Sequence, residues 1–172
     1  FRFLRDLIKL IWSYVFNFTR IDKCCDEFTM RCLDDPKNKN YNYHLFGKNT
    51  PECCKRHLFI IINEVIKILY ENDVPYIGTY GTHLGAIRHS GLIPWDTDID
   101  IAILNKYKLQ AKACLSLNLP PKFRIEESTE LIRVYFGDLN SLHVDIEFWE
   151  MKDGKCFWSD DLGYQTSVST NY

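Results

Sequence analysis

The stretch "YGTHLGAIRHSGLIPWDTDIDIAIL", residues 80–104, decides the reading of this chain. Asp96, Asp98 and Asp100 alternate just ahead of an apolar run, although Asp is among the residues least suited to a β-strand. Side chains of a strand alternate between its faces, with same-face neighbours about 7 Å apart. Asp96, Asp98, Asp100 and Ala102 therefore share one face, and Thr97, Ile99, Ile101 and Ile103 the other. The isoleucine face is core, so the aspartates turn away from it at the strand's entrance. The stretch "LHVDIEFWE", residues 142–150, repeats the device with His143, Asp145 and Glu147 set against Val144, Ile146 and Phe148. If the two strands pair, Asp98, Asp100 and Asp145 converge.

Such a cluster, left alone, repels itself, and some of its members must take up protons. A divalent cation resolves the conflict, and carboxylates with water and phosphate oxygens are the ligands Mg²⁺ or Mn²⁺ prefers. Two such ions about 3.5–4 Å apart clamp the attacking and leaving oxygens of a phosphoryl transfer. One Asp-x-Asp alone is short and common, and its plain reading is a solvated acidic strand edge. The upstream residues change the odds. Gly81 and Thr82 follow the short strand expected in "PYIGTYG" and open a helix, whose N-terminal amides suit phosphate. Arg88 and His89, one to two turns on, add positive charge, though Arg88 by itself reads as a surface residue. Asp96 and His143 are the candidates for a catalytic base.

The remainder of the 172 residues supports one folded domain: 46% are hydrophobic and 15% aromatic. With 21 basic against 23 acidic residues and a net charge of −2, nothing favours a nucleic-acid partner. The opening "FRFLRDLIKLIWSYVF" has helical apolar spacing broken by Arg2, Arg5, Asp6 and Lys9. It reads as a docked helix, with a membrane-surface helix as the alternative. The chain starts at Phe1, so the expectation is a piece of a longer product, with any membrane attachment contributed by sequence ahead of it.

The seven cysteines, at 24, 25, 32, 53, 54, 114 and 156, include no Cys-x-x-Cys and suit disulfides or buried thiols better than zinc. With the sequon Asn17-Phe18-Thr19 they favour a Golgi or secretory lumen over the cytoplasm. Residues 1–50 read as an N-terminal helix and a cysteine-containing connecting region. Residues 51–172 form the catalytic-type domain. There Thr50 is the expected N-cap of a helix with Pro51 in its first turn and Leu58, Ile61, Ile62, Val65, Ile66 and Leu69 on its apolar face. A helix from Lys106 to Leu117 and a three-strand meander after the Pro120-Pro121 pair complete an α+β pattern with a mixed sheet flanked by helices.

The quoted stretch closely resembles the signature of the LicD and fukutin-related family: a glycine-rich turn, Leu-Gly-x-x-Arg-His-x-Gly, Ile-Pro-Trp-Asp and the Asp-x-Asp. The resemblance runs over residues 54–150 and includes "HVDIEFW" as a third-carboxylate strand. It implies a nucleotidyltransferase-like fold, truncated after the third carboxylate, and a phospho-alcohol, of phosphocholine or ribitol-phosphate type, moved from a CDP-activated donor to a sugar of a glycoconjugate. By that resemblance Asp98, Asp100 and Asp145 hold Mg²⁺ or Mn²⁺, and Gly81 and Thr82 cradle phosphate. The partners it implies are a CDP-alcohol and a carbohydrate or glycoprotein acceptor. An Mn²⁺-dependent glycosyltransferase and a non-catalytic interaction module are the rival readings.

Overall fold

The computed structural model describes residues 47, 49–138, 140, 142–152, 155–158 and 167–168. The expected N-terminal helix, the Asn17 sequon and Cys24, Cys25 and Cys32 lie outside the described residues. The first described helix, α1 (Glu52–Glu71), buries Cys54, His57, Leu58, Ile61, Val65, Ile68 and Leu69. Its buried stripe runs through Ile68, whereas Ile62 and Ile66 are half-buried at its margins. Thr50 does not cap this helix; Pro51 occupies the cap position. Instead the Thr50 amide donates to the Pro94 carbonyl at 2.8 Å, and its hydroxyl donates to the Asp96 carbonyl at 2.6 Å. A long-range partner therefore took the hydroxyl that local pattern assigned to the helix.

The chain continues through β1 (Ile77–Gly78), α2 (Tyr80–His89), β2 (Asp98–Leu104), a 3₁₀ turn (Asn105–Tyr107) and α3 (Lys108–Asn118). A meander follows: β3 (Arg124–Glu127), β4 (Leu131–Tyr135) and β5 (His143–Lys152), then β6 (Lys155–Trp158) and β7 (Ser167–Val168). The seven strands form one sheet in the order β1-β2-β5-β4-β3, with β6 paired to β5 and β7 to β6. Among the described strands only the β2–β5 pair is parallel; the other pairings are antiparallel. The α+β mixed sheet flanked by helices is thus present.

Alternation along the strands divides the sheet by chemistry. Ile99, Ile101 and Ile103 of β2, Ile132 and Val134 of β4, and Val144, Ile146 and Phe148 of β5 are all buried in one core with α1 and α3. From the helices this core takes Leu58, Ile61, Val65 and Leu69 of α1 and Ala111, Cys114 and Leu115 of α3. Burying each such side chain is worth roughly 1.5–3 kcal/mol. The opposite face carries the polar residues. A small second cluster of Ala102, Trp149 and Cys156 closes its far end.

Candidate active site

Parallel pairing of β2 with β5 sets Asp98 opposite His143, Asp100 opposite Asp145 and Ala102 opposite Glu147. The convergence expected of two separate strands is therefore built into one ladder. Both backbone groups of Asp100 are held by the segment around the start of α2. The Asp100 carbonyl accepts the Thr79 amide at 3.0 Å, and the Asp100 amide donates to the Thr82 hydroxyl at 2.8 Å. With its backbone fixed on both sides, the Asp100 carboxylate is aimed along the polar face.

The electrostatics follow from this crowding. Burial first, then the charges of Asp98, Asp145, Glu147 and Asp96, push the Asp100 carboxyl up to about 7. Burial likewise raises Glu147, against the pull of hydrogen bonds from Trp149 and Tyr80. The Trp149 indole donates to Glu147 Oε2 at 2.9 Å. The Tyr80 hydroxyl donates to the same carboxylate, and its own titration is pushed to about 12 by burial and by Glu147. Tyr80 starts α2 with a left-handed backbone (φ 42°), a conformation costly for a residue with a side chain. The bond to Glu147 and the edge-on Trp149 ring, 6.5 Å between centroids, hold it there.

Asp145 has a different partner. Arg133, directly opposite it on β4, donates through Nε to Oδ1 and through Nη2 to Oδ2, both at 2.6 Å. His143 stands between the carboxylates, its Nε2 at 4.0 Å from Asp98 Oδ2 and 3.8 Å from Asp145 Oδ2. The Tyr135 ring packs 5.6 Å from that imidazole and has the Arg124 guanidinium 3.8 Å from its centroid.

The structure corrects three sequence placements. Asp96 precedes β2 rather than lying on it. It sits against α2, where a Cβ on Gly81 would come within 2.7 Å of Asp96 Oδ2. Gly81 thus makes room for Asp96. Second, the helix opens at Tyr80, not at Thr82, and its cap residue is Thr79. Thr82 lies inside the first turn with its hydroxyl already accepting the Asp100 amide. The residues at the strand-to-helix junction are Gly78 and Thr79, and the Thr79 hydroxyl is buried with no hydrogen-bond partner. The signal for this was present as a second Gly-Thr pair three residues earlier. Third, Arg88 and His89 occupy the last turn of α2, roughly 12 Å along the axis from its start. Both are exposed, and His89 packs edge-on to Trp95.

Hard carboxylate oxygens crowded enough to hold one of their number near neutral pH fit Mg²⁺ or Mn²⁺. Asp98 and Asp100 are the pair available for an ion. Both oxygens of Asp145 face Arg133, and among the described residues no three His, Cys, Asp or Glu side chains already converge on one point.

A parallel strand pair lined with carboxylates, beside a helix start tied to it through the Thr79 amide and the Thr82 hydroxyl, fits a nucleotidyltransferase-type domain. The chain belongs to the LicD/FKTN/FKRP family, whose nucleotidyltransferase domain matches residues 73–172. It is 32% identical over 129 residues to the ribitol 5-phosphate transferase FKRP of Mus musculus and of Homo sapiens, covering 71% of this chain and 26% of each relative. It therefore spans about a quarter of the length of these curated relatives. A match of 34% identity over 58 residues links it to an uncharacterized protein of Rickettsia prowazekii (strain Madrid E), over 34% of this chain and 22% of the relative. Among solved structures it is similar to the lincosamide antibiotic adenylyltransferase LnuA, at 16% identity, TM-score 0.47 and 71% of both chains. It is also similar to ANT(2")-Ia in complex with adenylyl-2"-tobramycin, at 18% identity and TM-score 0.44, over 59% of this chain and 55% of that one.

Proposed function

We propose that this chain carries the catalytic centre of a metal-dependent transferase that moves a phospho-alcohol from a CDP-activated donor to a sugar hydroxyl. The observation that carries the reading is the register of β2 on β5, which places Asp100 beside Asp145 and Asp98 beside His143. Family membership and the FKRP relatives, ribitol 5-phosphate transferases by name, supply the transferred group. Mg²⁺ or Mn²⁺ held by Asp98 and Asp100, with Asp145 as third ligand, would neutralise the donor's diphosphate.

The acceptor oxygen forms a bond to the phosphorus that carries the alcohol. The bond from that phosphorus to the bridging oxygen breaks, and CMP leaves with the electron pair. The hydroxyl proton passes to a base. His143, between the two carboxylates, is better placed for this than Asp96, which packs on Gly81. The phosphate-cradling role stays with Gly81 and Thr82 in the first turn of α2, with Thr79 beside them. The first amides of a helix lack intrahelical acceptors, and the buried Thr79 hydroxyl adds a donor beside them. The acceptor is a carbohydrate or a glycoprotein.

A disulfide at Cys54 supports a secretory or Golgi lumen. Cys53 is free and half-buried, and Cys114 and Cys156 are free and buried. Among the described residues no helix is long and apolar enough to cross a membrane.

The deciding experiment incubates the protein with CDP-ribitol, CDP-choline and sugar nucleotides, with Mn²⁺ or with EDTA, and measures CMP. Mn²⁺-dependent CMP release from a CDP-alcohol is expected. Sugar transfer from a sugar nucleotide without CMP release would make it a glycosyltransferase, and nucleotide binding without turnover a binding module.

A further inference from the structure

Asp145 is the member of the carboxylate row whose oxygens are both taken by a cation of the protein itself. The register aligns Arg133, Asp145 and Asp100 side by side on β4, β5 and β2, so the guanidinium and any ion at Asp100 approach Asp145 from opposite sides. We propose that Arg133 is a positioning residue: it holds Asp145 until a divalent ion takes that carboxylate, then turns to a phosphate oxygen of the nucleotide donor. Cation and anion thereby load together. The inference rests on the metal-dependent reading above.

Three features of the pair carry it. The two bonds are bidentate and charge-assisted, so an ion reaching for Asp145 must displace a guanidinium or share its carboxylate. The Arg133 side chain is 34% exposed and that of Asp145 11%, which leaves the guanidinium as the group with room to move. Its outer side borders a cavity of about 370 Å³ lined by Glu126, Glu127, Ser128 and Leu131, and the Tyr135 hydroxyl also bonds it.

Charge then dictates the order of events. A divalent ion brought next to an unmoved guanidinium places like charges together, whereas a donor diphosphate offers a pair of oxygens that the guanidinium fork can engage in place of the carboxylate it leaves. Ion affinity and nucleotide affinity must therefore each raise the other by the same factor. The acidic lining formed by Glu126 and Glu127 offers the guanidinium a competing resting place, which the test below separates from phosphate contact.

The experiment titrates Mn²⁺ alone, then CDP at saturating Mn²⁺, by calorimetry on the parent chain, Arg133→Gln and Arg133→Lys. Arg133→Gln is expected to bind Mn²⁺ alone at least as tightly as the parent. Its CDP affinity in Mn²⁺ should fall about 10- to 100-fold, the weight of a charge-assisted bond. Arg133→Lys, which keeps the charge and loses the fork, should lie between. Parent-like CDP affinity in Arg133→Gln overturns the proposal, as does weaker binding of Mn²⁺ alone in a variant whose circular dichroism matches the parent. Should the Gln variant not fold, parent-like CDP affinity in Arg133→Lys overturns it. A parent that binds CDP and no Mn²⁺ overturns this inference and the metal-dependent reading together, whereas failure confined to the Arg133 variants leaves that reading standing.

Discussion

The two faces of one sheet differ more than any two elements of this molecule. On β2, Ile99, Ile101 and Ile103 are each 2% exposed, while Asp98 and Asp100, one residue out of phase, border a face where carboxylates crowd each other. On β5, Val144 and Ile146 have no exposed surface, and Asp145 between them is bound by Arg133. The apolar face gains from being filled, because every methylene removed from water adds stability. The polar face loses from being assembled, because gathered negative charge opposes folding. A strand can serve both ends only because its side chains alternate, which lets the core hold in place an arrangement that would otherwise repel itself.

That comparison is open to attack from both sides. The largest expected effect is on the polar face: Asp98→Asn or Asp100→Asn should reduce CMP release about 1000-fold or more, the scale of charge stabilisation a bound ion supplies. The melting temperature should stay within a few degrees of the parent or rise, since a repelling charge is removed. A large loss of stability in either variant would mean the aspartates belong to the scaffold. Next comes the reverse experiment. Ile146→Ala, in the core between those functional positions, should cost about 2–5 kcal/mol in a denaturant titration. Its residual activity at low temperature should remain near the parent's.

A smaller effect tests the junction between the faces. Thr82→Val removes the acceptor of the Asp100 amide and should cost about 1–3 kcal/mol by leaving that donor unpaired. Thr79→Ala, whose hydroxyl has no partner, should leave the melting temperature unchanged and weaken CDP binding. If Thr79→Ala destabilises and Thr82→Val does not, the assignment of the two threonines is reversed.

The last effect concerns pH. The Asp100 carboxyl rises from an ordinary 3.8 to about 7 in the folded protein. A raised carboxyl contributes stability below its unfolded value, and that contribution is lost as pH climbs through the folded value. In EDTA the melting temperature should therefore decline between about pH 4 and pH 7, and Asp100→Asn should flatten the decline. Calorimetry across that range checks it. A decline of equal slope in the variant would assign the charge strain to other carboxylates.

Alternation has a period of two and needs no partner, so the sequence alone assigned the faces of β2 and β5; that Asp98 and Asp100 stand beside Asp145 was conditional on the two strands pairing, which the register supplies. The burial of Val65 and Leu69 on one side of α1 was legible for the same reason, through its period of 3.6. Contacts between distant segments were not legible. Thr50 looked like a helix cap by every local criterion, yet its hydroxyl is bonded to Asp96, 46 residues away. The helix start shifted to Tyr80 because Thr79 pairs with Asp100, and the left-handed backbone at Tyr80 is tolerated only beside Glu147 and Trp149. Arg133 was one charge among many until the pairing of β4 with β5 put it opposite Asp145. Local periodicity decides which way a side chain points. What it meets there depends on loop closure and strand register, and those are settled only when the whole sheet assembles.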